Sequence, residues 1–315
     1  MRAVIFGNNC HKEVARYTGY LLQALAERGV ELMMERDYHV FLRHNGVNVD
    51  QYVNERNYID YTDYDADYAF VVGGDGTFIH SAAKLGGRDI PMVGINAGRL
   101  GFLTDIDGSH IYEMVEQLMN KNYTITERTL LEVATKGNSN CDLNFSLNEI
   151  SVSKLDSASL ITIHTWVDGT YLTSYQADGL LISTSTGSTA YSMSVGGPIL
   201  TPQVPALILT PVAPHSLTMR PLVIPDTSKI ELQVESRNNR YLLAIDGQNN
   251  VFDEHIKLSI CKSPFKIKSL QTSEHNFFDT LRQKLMWGAD NRHYLKKGYD
   301  EPDEDSIENS GISDI

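Results

Sequence analysis

The residues best suited to chemistry are Gly73-Gly74-Asp75-Gly76-Thr77. Glycines at a turn let backbone N–H groups come close to a phosphate, and a helix starting there adds the positive end of its dipole. A carboxylate inside such an anion cradle repels phosphate unless it takes a proton or meets a cation. The segment therefore points to phosphoryl transfer rather than plain anion binding. The same residue types also build an ordinary tight turn, because Gly and Asp tolerate positive φ. Neither the P-loop spacing nor the Gly-x-Gly-x-x-Gly dinucleotide turn is present, so the local sequence leaves cradle and turn both open.

A second candidate runs from Asp178 to Pro198, where Ser, Thr and Gly follow the apolar Leu180-Leu181-Ile182. Hydroxyls and exposed amides at one strand end suit a nucleoside or a pyrophosphate. Asp178 and Tyr191 bracket the run, supplying a carboxylate for ribose hydroxyls and a ring for packing. Gly196 and Gly197 permit close backbone approach. A plain Ser/Thr-rich loop is the alternative. Asn148-Glu149 sets an amide beside an acid at a strand edge, which suits an adenine amino group and a ribose diol but equally a solvated turn. His80, His164, His215 and Arg220 carry no metal-ligand or catalytic-triad spacing and read as structural.

These residues need elements to hold them. Apolar residues 69–72 predict a buried strand feeding a helix over 78–85, with Asp75 or Thr77 near its N-cap. Upstream, 3–6 reads as a strand ending at Gly7-Asn8-Asn9. Val14, Tyr17, Leu21, Leu22 and Leu25 predict a helix over 13–27 that stops at Gly29. Strands over 30–34 and 90–95 and a helix over 109–119 follow, with an irregular, tyrosine-rich connection at 43–65. Strands alternating with helices predict a doubly wound parallel α/β domain over 1–122. From 123 to 272 the pattern is all-β, with short runs at 130–134, 149–153, 160–167, 180–183, 230–234, 242–245 and 256–260. Asp168-Gly169 and Asp246-Gly247 mark turns between them. A helical pattern returns at 277–287, within a C-terminal segment 273–298. The tail 299–315 holds seven acidic residues and no Lys or Arg, and reads as disordered.

A chain of 315 residues has room for two cores. Its formal charge of −13 argues against a general nucleic-acid binder. Cys10, Cys141 and Cys261 are too few and too far apart for a disulfide framework or a zinc site, which favours the reducing cytoplasm. The apolar stretch at the N-terminus is too short for a signal peptide, and no run approaches the ~20 apolar residues of a membrane span.

Taken together, the motifs resemble those of NAD kinases. The resemblance rests on Gly73–Thr77, Gly94-Ile95-Asn96 with Gly98 to Asp105, Leu147-Asn148-Glu149, Asp178 to Pro198, Pro214-His215-Ser216-Leu217 with Arg220-Pro221, and Asp246-Gly247-Gln248. It runs in order from about residue 70 to 250. The first motif is shared with lipid and sugar kinases, whereas the Thr-Gly-Ser-Thr-Ala-Tyr-Ser block with Asn-Glu is particular to NAD kinases. It implies an α/β domain joined to a β-sandwich-like domain, with the last helix returning to the first. It also implies a homodimer or homotetramer whose dinucleotide site draws on a neighbouring subunit. The implied reaction moves the γ-phosphoryl of ATP, or of polyphosphate in some members, to the adenosine 2′-hydroxyl of NAD, with Mg²⁺ on the phosphates.

On this reading Asp75 is the general base, and Gly73, Gly74, Gly76 and Thr77 cradle the donor. By resemblance, Asn148 and Glu149 hold the adenosine of NAD, with Asp75 and Gly76 beside its ribose and Phe102 near the adenine. Thr186, Thr189, Ala190, Tyr191, Ser192, Met193 and Ser194 line the groove, and Asp178 and Gln248 face the nicotinamide riboside. No protein metal ligand is implied. Gln176 stands where many bacterial members carry Arg, which leaves NAD against NADH open, and Thr184-Ser185-Thr186 replaces a more usual Thr-Pro-Thr. Two rivals are a kinase of another acceptor and a silent dinucleotide sensor. An intact Gly-Gly-Asp-Gly-Thr disfavours the sensor.

Overall fold

The computed structural model describes residues 1–59, 64–136, 145–155, 159–272 and 276–288. Cys141, residues 289–298 and the acidic tail 299–315 lie outside the described residues. In chain order the elements are β1 (Arg2–Gly7), α1 (Lys12–Ala26), β2 (Glu31–Met34), α2 (Arg36–His44), β3 (Tyr68–Gly73), α3 (Asp75–Leu85), β4 (Met92–Asn96), β5 (Ile106–Asp107) and α4 (Ile111–Met119). Then come β6 (Tyr123–Lys136), β7 (Phe145–Ser146), β8 (Glu149–Lys154), β9 (Ile161–Val167), β10 (Thr170–Ala177), β11 (Gly179–Thr184), α5 (Tyr191–Ser194) and β12 (Ala206–Val212). The series ends with β13 (Leu222–Pro225), β14 (Ile230–Glu235), β15 (Arg240–Ile245), β16 (Gln248–Asp253), β17 (Lys257–Thr272) and α6 (Phe277–Leu285).

In the first part, β2, β1, β3 and β4 pair in parallel in that order. Successive residues of a strand point to opposite faces, and both faces here are covered. Ala3 and Ile5 of β1, with Phe70 and Val72 of β3, enter a core shared with α1, α2 and α4. Val4 and Phe6, with Ala69 and Val71, enter a second core with Phe78, Ala82 and Leu85 of α3. That is why these strands read as unbroken apolar runs, and it makes this layer doubly wound.

The later strands form the all-β part. One sheet has the order β13-β12-β11-β8-β15-β16, with every pairing antiparallel. Ile150, Val152, Leu180, Ile182, Leu243 and Ile245 project from it into a core with Ile161, Ile163, Ile230, Leu232, Leu258 and Ile260. These belong to β9, β14 and β17 of the other sheet, whose order is β10-β9-β14-β17-β4-β3-β1-β2. The long strand β17 thus pairs antiparallel with β14 and β6 and in parallel with β4, through Ser269 opposite Met92. Both expected turns occur. Asp168 and Gly169 have φ of 50° and 75°, and Asp246 and Gly247 have 47° and 82°, the left-handed pairs that two-residue hairpins need.

Residues 1–275 form one compact unit and Asn276 onward a second. The described part of the second is α6, whose Asn276 side chain accepts the N–H groups of Phe278 and Asp279 at 3.0 and 3.1 Å. Among the described residues no helix is long and apolar enough to cross a membrane.

Candidate active site

The carboxyl edge of the parallel strands carries the first cavity, about 420 Å³ in volume. Strand order 2-1-3-4 reverses direction between β1 and β3, and in such sheets the crevice at the reversal takes the ligand. Gly73, Gly74, Gly76 and Thr77 line this cavity with Asn8 and His11 from the loop after β1, Asn96 at the end of β4 and Arg99 from the loop after it. The two asparagines repeat one device. Asn8 Oδ1 accepts the N–H of Cys10 at 2.7 Å, and Asn96 Oδ1 accepts that of Gly98 at 2.7 Å. Each side chain closes the turn leaving its strand. The N-cap of α3 is Gly74, one residue before Asp75, and no side chain caps it. The helix therefore presents its opening turn to the cavity without a competing side-chain oxygen.

Asp75, the first helical residue, turns its carboxylate onto the Phe102–Thr104 loop. Oδ2 accepts the Phe102 N–H at 2.9 Å. Oδ1 accepts those of Leu103 and Thr104 at 2.9 and 3.2 Å, and the Thr104 hydroxyl at 3.3 Å. Gly101 makes this possible: a Cβ there would lie 2.0 Å from Asp75 Oδ1. Arg128 of β6, itself buried, acts electrostatically on Asp75 and Asp105. Phe102 is thus tied to Asp75 through its backbone.

A second cavity, about 230 Å³, lies on the other side of Gly76. Gly76, Ile79 and His80 line it with Phe145, Asp246, Gly247 and Gln248. The two cavities meet at Gly76, and Asp75 precedes it. His80 had no assigned role in the sequence. Its place one turn along α3 from Gly76 was the available signal. For Asn8, His11 and Arg99 the signal was their position just after a parallel strand.

Asp246 holds the Asn148-Glu149 pair. Its carboxylate accepts the Ser146 hydroxyl at 2.6 Å and the N–H groups of Leu147, Asn148 and Glu149 at 2.7, 2.9 and 3.1 Å. The Glu149 carboxyl is largely buried, accepts the Tyr191 N–H and feels the Asp246 charge. Burial first, then Asp246, pushes its pKa up to about 8, so it carries its proton at neutral pH.

The Ser/Thr block serves mainly to stitch this region together. Thr184 Oγ1 donates to the Leu147 carbonyl at 2.6 Å, and Ser188 and Ser192 bond to Leu200 and Thr210. Thr186 is also buried, and its carbonyl accepts from Thr189 Oγ1 at 3.4 Å. Gly187 sits where a Cβ would meet the Asn148 carbonyl at 2.1 Å. Tyr191 and Ser194 are exposed, and Ala190 and Met193 partly so. Asp178 stands apart. It pairs with Lys154 at 2.6 Å, at the far end of the β8–β11 ladder from Glu149, about 17 Å away at ~3.3 Å per residue.

Comparison with known proteins gives the family. A family model described as the ATP-NAD kinase N-terminal domain matches residues 3–123, and one for the ATP-NAD kinase C-terminal domain matches 147–272. An NAD kinase of Bacteroides fragilis is 43% identical over 295 residues, covering 93% of this chain and 100% of its own. The crystal structure of an Archaeoglobus fulgidus NAD kinase in complex with ATP superposes with a TM-score of 0.72 at 26% identity, covering 91% of this chain and 99% of its own. A yeast NADH kinase complexed with NADH gives a TM-score of 0.81 at 23% identity, covering 92% of this chain and 89% of its own, a likeness of fold. With both cavities built from the motifs that these models span, the chain belongs to the NAD kinase family.

Proposed function

We propose that the chain transfers the γ-phosphoryl of ATP to the 2′-hydroxyl of the adenosine ribose of NAD, giving NADP and ADP. The observation that carries this reading is the meeting of two cavities at Gly76, one beside an uncapped helix N-terminus and one lined by Gln248 and by Asp246, whose carboxylate accepts the N–H groups of Asn148 and Glu149. ATP phosphates in the first and the dinucleotide in the second bring donor and acceptor together beside Asp75. The 2′-oxygen forms the new bond to phosphorus, and the bridging oxygen to the β-phosphate leaves with ADP. Such transfer needs positioning and charge stabilisation more than covalent chemistry. Asp75 takes the hydroxyl proton, a role that typically contributes ~10²–10⁴-fold.

Gly73, Gly74, Gly76 and Thr77 hold the donor phosphates. Asn148 and Glu149 hold the adenosine, Phe102 lies by the adenine, and Thr186 and Thr189 to Ser194 border the groove. Gln248 faces the nicotinamide side. Asp178, far from Glu149 within one chain, serves the site of a second copy in a homodimer or homotetramer. Mg²⁺ would enter with the ATP and would supply neutralisation of the phosphate charge beside Asn8, Asn96 and Thr77. Oxygen donors of Asn8, Asn96 and Thr77 line the donor cavity, and among the described residues no three His, Cys, Asp or Glu cluster to hold an ion themselves. The unpaired cysteines Cys10 and Cys261 fit a cytoplasmic setting.

The four hydrogen bonds onto Asp75 favour a second reading, in which it positions the 102–104 loop rather than taking the proton. Purified protein incubated with NAD, ATP and Mg²⁺, with NADP detected by an NADP-specific dehydrogenase, tests the activity. No NADP above an enzyme-free blank, with NADH and polyphosphate also tried, sinks the kinase reading. A kcat that falls on the acid side in the parent and is flat in Asp75→Asn supports the base. Equal pH dependence in both supports positioning.

A further inference from the structure

We propose that Asp246 is a positioning residue of the acceptor site, acting on the dinucleotide through Asn148, Glu149 and Gln248 rather than by touching the reacting atoms. The proposal rests on the kinase reading above. Asp246 opens the two-residue turn between β15 and β16, so one residue controls two acceptor elements. Gln248 begins β16 two positions on and lines the acceptor cavity. Backwards, its carboxylate takes three consecutive backbone N–H groups and one hydroxyl from Ser146–Glu149, and its own N–H donates to the Glu149 carbonyl at 3.1 Å. Consecutive N–H groups converging on one carboxylate fix the backbone direction there, and with it the aim of both side chains.

The arrangement mirrors Asp75, whose carboxylate takes the consecutive N–H groups of Phe102, Leu103 and Thr104. The Asp246 clamp adds an electrical consequence. Glu149 Oε2 is buried without a hydrogen-bond partner, and the buried Ser183 hydroxyl, on the strand position paired with Glu149, also lacks one. The groups acting on the Glu149 carboxyl are Asp246 from the β15–β16 turn and the Tyr191 N–H from α5. The proton held on Glu149 lets it donate to a ribose hydroxyl or a ring nitrogen, and Asp246 helps to keep that proton in place.

Asp246→Asn tests both effects in the full-length protein. An amide offers one acceptor oxygen where the carboxylate offers two, and turns N–H toward N–H. We expect KM for NAD to rise at least tenfold while KM for ATP stays within twofold. In the parent, kcat/KM for NAD falls above about pH 8 as Glu149 ionises. In Asp246→Asn that inflection moves to lower pH, a shift that loss of loop rigidity alone does not produce. Unchanged KM for NAD, or an unmoved inflection, overturns the proposal. If Asp246→Asn does not fold, Ser146→Ala removes one of the four donors and keeps the charge. It should raise KM for NAD several-fold and leave ATP alone, and an unchanged KM for NAD again overturns the role. Failure of the kinase reading is distinguishable, because the parent itself would then make no NADP.

Discussion

Glu149→Gln makes the sharpest physical prediction, because it removes a titration and almost nothing else. Glutamine matches the shape of the protonated acid and keeps an oxygen for the Tyr191 N–H. Glu149 titrates near its ordinary 4.5 in the unfolded chain and near 8 in the folded one. Below pH 4.5 both states hold the proton, and the group contributes no pH dependence. Between 4.5 and 8 the folded state holds more protons than the unfolded, so stability falls as pH rises. Above 8 the loss is complete, at about 5 kcal/mol from 1.36 kcal/mol per unit. Glutamine escapes that loss. Unfolding by urea, followed without nucleotide from pH 4.5 to 8.5, should therefore show Glu149→Gln gaining on the parent steadily, by several kcal/mol. In thermal melts the gain is on the order of 10 °C. A difference between the two proteins that stays flat across this range, within about 1 kcal/mol, would refute the buried, protonated Glu149 and the charge coupling built on it.

Two other substitutions test the close approaches. Gly101→Ala places a methyl 2.0 Å from Asp75 Oδ1, so carboxylate and loop must part. A displacement of about 1 Å there should lower kcat by about 10²-fold in the NADP-coupled assay, and parental kcat would mean that the Asp75 anchoring is dispensable. Gly187→Ala drives a methyl into the Asn148 carbonyl. It should raise KM for NAD without altering KM for ATP, and equal changes in both would detach this turn from the acceptor site.

The sequence made the parallel layer readable because β1 and β3 are buried on both faces, which leaves them apolar throughout. Helix α2 was not foreseen. Its buried residues Tyr38, His39 and Leu42 sit among Arg36, Asp37, Arg43 and His44, so its polar composition hid its apolar stripe. Strands β6 and β17 are far longer than their apolar runs, because their polar positions are held by mutual pairing and a register shift between Lys262 and Lys266 absorbs Pro264. β10 and β16 were also missed, since the one is largely polar and the other begins at a turn. At the site, the glycine motif and the Asn-Glu pair were visible as residue types. The clamps were not, because hydrogen bonds from backbone N–H groups to Asp75 and Asp246 span 27 to 29 and 97 to 99 residues and leave no local pattern. The Ser/Thr block was legible as polar but not as inward-facing, since burial depends on strands β8 and β12 lying beside it.

The reach of β17 has a consequence for how the protein is born. β4 leaves the ribosome early, but the partner of Met92 is Ser269, near the end of the described sheet. At 5–20 residues per second, that edge waits roughly ten to thirty seconds before its neighbour emerges. The nascent α/β layer therefore spends that interval with the Met92 end of this edge open, only Ile95 and Asn96 being paired with β5, and able to recruit the same edge of another nascent chain. Conditions that slow elongation between residues 97 and 256 should then lower the soluble yield without touching a single contact of the finished enzyme.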